Sequence, residues 1–301
     1  MIDLGIIFTD YTLQIVSLGS ALLGIISGVV GSFAVLKKQS LLGDAVSHAA
    51  LPGIALAFIL SGSKNTLILL IGALLTGLLA TWIVGLINKH SRIKFDSALA
   101  LILSVFFGMG LTLLTYIQKI PNANQAGLET FIFGQASTLL KRDVKIIFIV
   151  GIVIIALIVI FWKELKILSF DNDFARSIGF STKILDFLLA SLIVTTIIIG
   201  LQTVGVILMS AMLVAPGVAA RQWTNKLSIM VVLASIFGAL SGILGTILSS
   251  SIENMPTGPS IVLVISIIVF VSIFFAPNRG LLWKKIKEYN NRKKYLIIKG
   301  E

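Results

Sequence analysis

The sequence predicts an all-α integral membrane protein, a polytopic helical bundle of about nine transmembrane helices with eight as the alternative. Three observations predict it. Hydrophobic residues make up 57% of the 301 and charged residues only 12%, with a mean hydropathy of +1.04, which leaves too little polar surface to cover a soluble globule. The apolar residues come in runs of about 20, whereas a barrel shows weakly alternating segments of about 10. The basic residues collect between alternate runs, as they do in a chain that crosses a bilayer repeatedly.

Residues 13–36 are an uncharged run of 24, which as a helix is about 36 Å long and spans a bilayer with some tilt. Lys37 and Lys38 end it. Further runs follow at 41–60, 67–87, 98–117, 146–162, 184–201, 204–220, 227–248 and 260–276. A single helix over 184–220 would be about 55 Å long, nearly twice the hydrocarbon thickness, with Gln202 and Thr203 in its middle, so two short spans are expected there. Residues 1–278 then form one membrane domain, and 279–301 a basic, partly helical tail. Gly24 with Gly28, and Gly238 with Gly242, are small-xxx-small pairs that permit close helix packing inside the bundle or a dimer seam.

With nine spans and the N-terminus outside, 19 of the 24 Lys and Arg residues fall on one side, from Lys37 and Lys38 through the eight basic residues of the tail. By the positive-inside rule that side is cytoplasmic, which places the chain in a cell membrane with its C-terminus inside. Trp82, Trp162, Trp223 and Trp283 fall near the cytoplasmic ends of spans, as an interfacial aromatic belt does. The net charge of +11 is therefore topological. A nucleic-acid role would need basic residues interleaved with stacking aromatics on a soluble surface. The first apolar run has full membrane length and follows Asp3 and Asp10, so no removable signal is expected. The chain has no cysteine, which excludes disulfides and thiolate ligands.

The second span carries the chemistry. Its purely apolar part, residues 49–60, reaches only about 18 Å as a helix, so Asp44 and His48 lie within the membrane or at its inner boundary. In a helix, Asp44, Ser47 and His48 stand at i, i+3 and i+4 and share a face. An ionised Asp at that depth costs several kcal/mol unless a counter-charge, water or cation compensates it. A metal ion would do so; a helix cap at Asp44 with a structural hydrogen bond at His48 is the alternative. Pro52 removes a backbone donor and, with Gly53, favours a kink or break that opens carbonyls to a cavity. His90 sits in a polar turn and is expected to be solvated.

Residues 170–179, FDNDFARSIG, read as a short amphipathic helix. Phe170, Phe174 and Ile178 align at i, i+4 and i+8, Asp171 can cap the start, Asp173 and Arg176 suit the helix dipole, and Gly179 can end it. Such a helix inserts its apolar face into a partner's groove or lies on the lipid interface. The loops at about 118–142 and 251–258, with Glu253, Pro256 and Pro259, are candidate docking segments on the outside. There is no G-x-x-x-x-G-K-[ST] phosphate loop and no H-E-x-x-H zinc motif, so neither ATP hydrolysis nor metalloprotease chemistry is expected of this chain.

Four segments, residues 35–53 (VLKKQSLLGDAVSHAALPG), 131–135 (FIFGQ), 170–179 and 204–217 (VGVILMSAMLVAPG), resemble the membrane permeases of bacterial ATP-binding-cassette importers for manganese, zinc and iron. They run in family order over nearly the whole chain. The resemblance implies the metal and vitamin B12 importer fold, a permease dimer, two cytoplasmic ATPase subunits and an extracellular metal-binding protein that delivers the ion. It implies that Asp44 and His48 contact the metal near the gate, and that Phe170, Asp171, Asp173, Phe174, Ala175, Arg176, Ile178 and Gly179 form the helix that couples to the ATPase. Pro52, Gly53 and Pro216 are the expected kink and pathway positions. No permanent cofactor is implied, and ATP belongs to the partner subunit.

Two copies related by a two-fold axis would bring two Asp and two His together, a mixed nitrogen and oxygen site suited to Mn, Fe or Zn. Mn binds similar ligands more weakly than Fe or Zn, so this pair does not select Mn by affinity. The wording of the motifs is closest to the manganese branch. The rival reading is a proton-linked secondary metal carrier using the same pair, and a third is a membrane scaffold without transport.

Overall fold

Helices lying against the core and helices facing outward differ sharply in this chain. In the computed structural model, which describes residues 10–63, 65–119, 139–252, 255–285 and 288, the first two helices are the most deeply buried of the long apolar helices. These are α1 (Tyr11–Leu36) and α2 (Leu42–Ser61). In each, 72% of the most apolar window is buried, against 28% in α3 (Thr66–His90) and α5 (Lys141–Ile160) and 33% in α4 (Phe95–Lys119). The outer helices turn apolar side chains such as Leu75, Leu79, Ile152 and Val153 outward, the arrangement that lipid requires. After α5 come α6 (Trp162–Phe170), α7 (Asn172–Ser177), α8 (Thr182–Val204), α9 (Val206–Trp223), α10 (Leu227–Ser251) and α11 (Thr257–Phe275).

Among the described residues, eight helices have the length and apolarity to cross a bilayer: α1 to α5, α8, α10 and α11. The ninth expected span appears as the separate 18-residue helix α9, which is outside that set. The chain does break between residues 201 and 206, because Gly205 adopts φ 86° and ψ 168°, a conformation that a side chain resists. The fifth span starts earlier than hydropathy indicates. Asp143 reaches back to accept the Leu140 amide at 3.1 Å, so Lys141 and Arg142 are already helical.

The glycine pairs are packing devices within one chain. A Cβ at Gly24 would lie 2.2 Å from the Gly238 carbonyl oxygen, and one at Gly28 would lie 2.4 Å from that of Ala234. α1 and α10 therefore meet backbone to backbone. α9 approaches α1 more closely still: a Cβ at Gly31 would stand 1.7 Å from the Leu213 carbonyl oxygen. Gly31→Ala is expected to destabilise the protein by about 1–3 kcal/mol through forced separation of α1 and α9, read as a lower melting temperature in detergent. Gly85→Ala is the contrast. Nothing lies within 4 Å of a Cβ there, so helix propensity alone should raise stability by about 0.5–1 kcal/mol. Equal behaviour of the two variants would contradict this packing.

Of the four tryptophans, Trp82 and Trp283 are exposed, whereas Trp162 packs edge-on against Phe33 at 5.8 Å and Trp223 donates Nε1–H to the Ser272 hydroxyl at 3.0 Å. His90 is exposed at the end of α3, with Nδ1 3.1 Å from the Leu86 carbonyl oxygen. The segment 131–135, most of the 118–142 loop, Glu253 and the tail beyond residue 288 lie outside the described residues.

Candidate functional site

The first turn of α2 holds Asp44, and its second holds His48. Leu41 offers no side-chain cap, and Asp44 stands in the first turn of the helix, where negative charge is favoured. Asp44 Oδ1 and His48 Nε2 are 3.6 Å apart, beyond a hydrogen bond. An ion about 2.1–2.2 Å from each donor would see them at an angle of roughly 115°, close to tetrahedral. The spacing is a bidentate bite. Ser47 does not join it. Its hydroxyl is buried and donates to the Gly43 carbonyl at 2.8 Å.

The pair opens outward from an otherwise buried helix. The Asp44 side chain is 43% exposed and that of His48 18%, whereas the exposed apolar side chains of α2, Leu56, Ile59 and Leu60, lie toward its other end. Phe107 of α4 meets the imidazole edge-on, with centroids 4.7 Å apart, and fixes its plane. His48 Nδ1 is buried without a hydrogen-bond partner. Metal-bound imidazoles usually have a partner on the second nitrogen, so here ring orientation rests on packing. Among the described residues no cluster of three or more His, Cys, Asp or Glu exists, so Asp44 and His48 stand there as a pair of potential donors.

Pro52 and Gly53 do not interrupt α2, which continues to Ser61. Pro52 has no N–H, so the His48 carbonyl loses its usual i+4 donor. Gly53 serves contact: a Cβ there would lie 2.2 Å from both the Gly72 carbonyl oxygen and the Thr76 hydroxyl of α3. Pro216 is buried within the continuous helix α9.

The 170–179 segment is two helices rather than one. Phe170 ends α6. Asp171 then turns the chain and caps α7, its carboxylate accepting the amides of Asp173 at 3.1 Å and Phe174 at 2.9 Å. Asp173 lies in the first turn of α7 and Arg176 in the last, with Arg176 Nε donating to the Thr182 hydroxyl at 3.3 Å. Gly179 closes it at φ 91°, its amide bonded to the Arg176 carbonyl while Phe180 bonds back to Ala175, a glycine helix stop. Ala175 is fully buried and points away from any partner. Phe170, Phe174 and Ile178 are 59%, 53% and 46% exposed and remain a shared apolar surface across the break.

This surface is tied to α2 by an ion pair the sequence did not reveal. Lys37, at the end of α1, pairs with Asp186 of α8. The α1–α2 connection is thus fastened to the helix that directly follows α7. No sequence signal marks this link or the contact of Phe107 with His48, because both join residues far apart in the chain.

The ABC 3 transport family model matches residues 9–276. The chain belongs to the ABC 3 transport family. It is 52% identical over 278 residues, covering 92% of this chain and 93% of the relative, to the zinc transport system membrane protein TroC of Treponema pallidum (strain Nichols). It is 47% identical over 274 residues to the manganese transport system membrane protein MntC of Bacillus subtilis (strain 168), covering 91% of this chain and 63% of that relative. Among solved structures, PsaBC from Streptococcus pneumoniae in complex with Fab matches with a TM-score of 0.81 at 36% identity, covering 93% of this chain and 97% of that one. This member of the ABC 3 transport family is a multi-pass membrane protein and a permease of the metal transport type.

Proposed function

We propose that this chain is the permease subunit of an importer that carries a divalent transition metal, manganese first and zinc or iron next, into the cell. The observation that carries the proposal is the Asp44–His48 bite, two donors 3.6 Å apart on the open side of an otherwise buried helix. A second copy, most simply an identical one, would face that side and complete a four-ligand site. The metal is cargo, so the site must bind weakly enough to release. Delivery falls to an extracellular metal-binding protein, and energy to a separate cytoplasmic ATPase dimer that receives Phe170, Phe174 and Ile178. Movement at α7 would reach α2 through α8 and the Lys37–Asp186 pair. The permease domain extends over residues 1–278 and the basic tail over 279–301, with the N-terminus outside and the C-terminus inside a bacterial plasma membrane. The chain itself performs no catalysis and holds no permanent cofactor. Relatives named for zinc and for manganese support a first-row metal, and the motif wording favours manganese.

Reconstitution in proteoliposomes tests this reading. Uptake of labelled manganese should require the ATPase subunit, ATP and the binding protein together, with zinc and iron as competitors. Uptake driven by a proton gradient in the absence of the ATPase would establish the secondary carrier instead.

A further inference from the structure

A cavity of about 320 Å³ opens where α1, α6, α9 and α10 end or begin on the side that collects most of the basic residues. Its polar half presents Arg221, Arg279 and Thr224, and its apolar half Leu36, Phe170 and Met230. Among the described residues neither arginine lies within ion-pair distance of a carboxylate. Arg279 is held in place by Asn225, whose side-chain oxygen accepts its Nη2–H at 3.2 Å, and Asn278 anchors the same turn by donating to the Trp223 carbonyl at 2.8 Å. Burial, and then the neighbouring Arg279 charge, lower the Arg221 pKa from its ordinary value. The two guanidinium groups thus line one cavity with no carboxylate between them among the described residues.

The beginning of α10 adds to the attraction. Leu227, its first residue, lines the cavity, and Lys226 supplies no side-chain cap, so the amides of the first turn of a 25-residue helix are open to an acceptor. Planar guanidinium pairs match phosphate oxygens in two-point contacts. The volume lies at the small end of ligand pockets, about 300–1,000 Å³, enough for a headgroup but not for acyl chains. The ends of α1, α6 and α9 and the start of α10 around the cavity place it where the membrane-spanning helices end. Anionic lipids are concentrated in the cytoplasmic leaflet.

We propose that the Arg221–Arg279 cavity binds a phosphate-bearing anion, supplied by an anionic phospholipid headgroup of the inner leaflet. This goes beyond transport and needs only the membrane placement of the chain, so its failure would leave the importer reading intact. Phe170 forms part of the wall and part of the exposed apolar surface that continues on α7. An occupied cavity would therefore stiffen the junction of α6 and α7.

The test uses the full-length chain assembled with its partners, purified in detergent, and titrated with phosphatidylglycerol, phosphatidylethanolamine or inorganic phosphate. Native mass spectrometry should show phosphatidylglycerol adducts in preference to phosphatidylethanolamine. The R221Q/R279Q variant should weaken them roughly thirtyfold, from about one kcal/mol per arginine, while R221K/R279K retains part of the binding. The wild-type melting temperature should rise with phosphatidylglycerol and not with phosphatidylethanolamine, a readout that stands even if R221Q/R279Q folds poorly. Displacement of the lipid by millimolar inorganic phosphate, with the same sensitivity to R221Q/R279Q, would support the phosphate site and assign it to a free anion. Equal binding of both lipids to the wild type, or unchanged phosphatidylglycerol binding in a folded R221Q/R279Q protein, would overturn the proposal. Loss of ATPase association in R221Q/R279Q without any change in lipid binding would overturn it too, by assigning the arginines to an acidic protein surface.

Discussion

Asp44→Asn and His48→Ala are each expected to reduce metal uptake at least tenfold while the assembled transporter keeps its subunits. The magnitude is a lower bound, because outer partners of a metal ligand already carry about 10–100-fold in affinity or activity. Asp44→Asn preserves size and removes the charge. Because Asp44 is 43% exposed and not hydrogen-bonded to His48, the fold loses little. His48→Ala empties the space beside Phe107, so its effect should be compared with His48→Gln, which fills that space with a weaker donor. Uptake of manganese, zinc and iron measured in the three variants checks the expectation. Unchanged cellular metal in all of them would leave the scaffold reading standing and sink the transport role of the pair.

Phe174→Asp should abolish ATPase association and uptake together. Phe174 is 53% exposed, so its removal costs the isolated permease little, and the new carboxylate lies in the first half of α7, where the helix dipole tolerates it. At an interface the same side chain would be a buried aromatic anchor, worth about 2–4 kcal/mol, which corresponds to a thirtyfold to thousandfold loss of affinity. Co-purification of the ATPase with wild type and variant measures it. If Phe174→Asp bound the ATPase normally, the coupling role of α7 would be wrong. Ala175→Asp is no substitute for this test, because Ala175 is fully buried and a carboxylate there would disturb the fold itself.

Much of this was legible because each feature is local. Hydropathy runs located the membrane helices, the 55 Å length argument forced the break that Gly205 makes, and the i, i+4 spacing put Asp44 and His48 together. Capping chemistry at Asp171 and Gly179 was readable for the same reason. The division after Phe170 was not, since the period of four survives the break: Phe170 and Phe174 both stay outward although they lie on different helices. The burial of Ala175 was hidden because the apolar stripe of α7 faces away from the protein, the reverse of a soluble amphipathic helix. The Lys37–Asp186 pair, Phe107 against His48 and the Arg221–Arg279 cavity depend on how distant helices meet, and no short window of sequence contains that information.

The seam between α1 and α10 has a consequence for how the molecule can move. Gly24 faces Gly238 and Gly28 faces Ala234 at separations too short for any interposed side chain. Such a joint is keyed in register, because an axial slip brings larger residues against opposing carbonyls. The two helices therefore act as a single strut. Displacement during a transport cycle is left to elements that lack such a joint, chiefly the short helix α7, because α2 is itself locked to α3 where Gly53 meets Gly72. The strut is the fixed frame of reference, and α2, which carries Asp44 and His48, packs instead against α3 and α4.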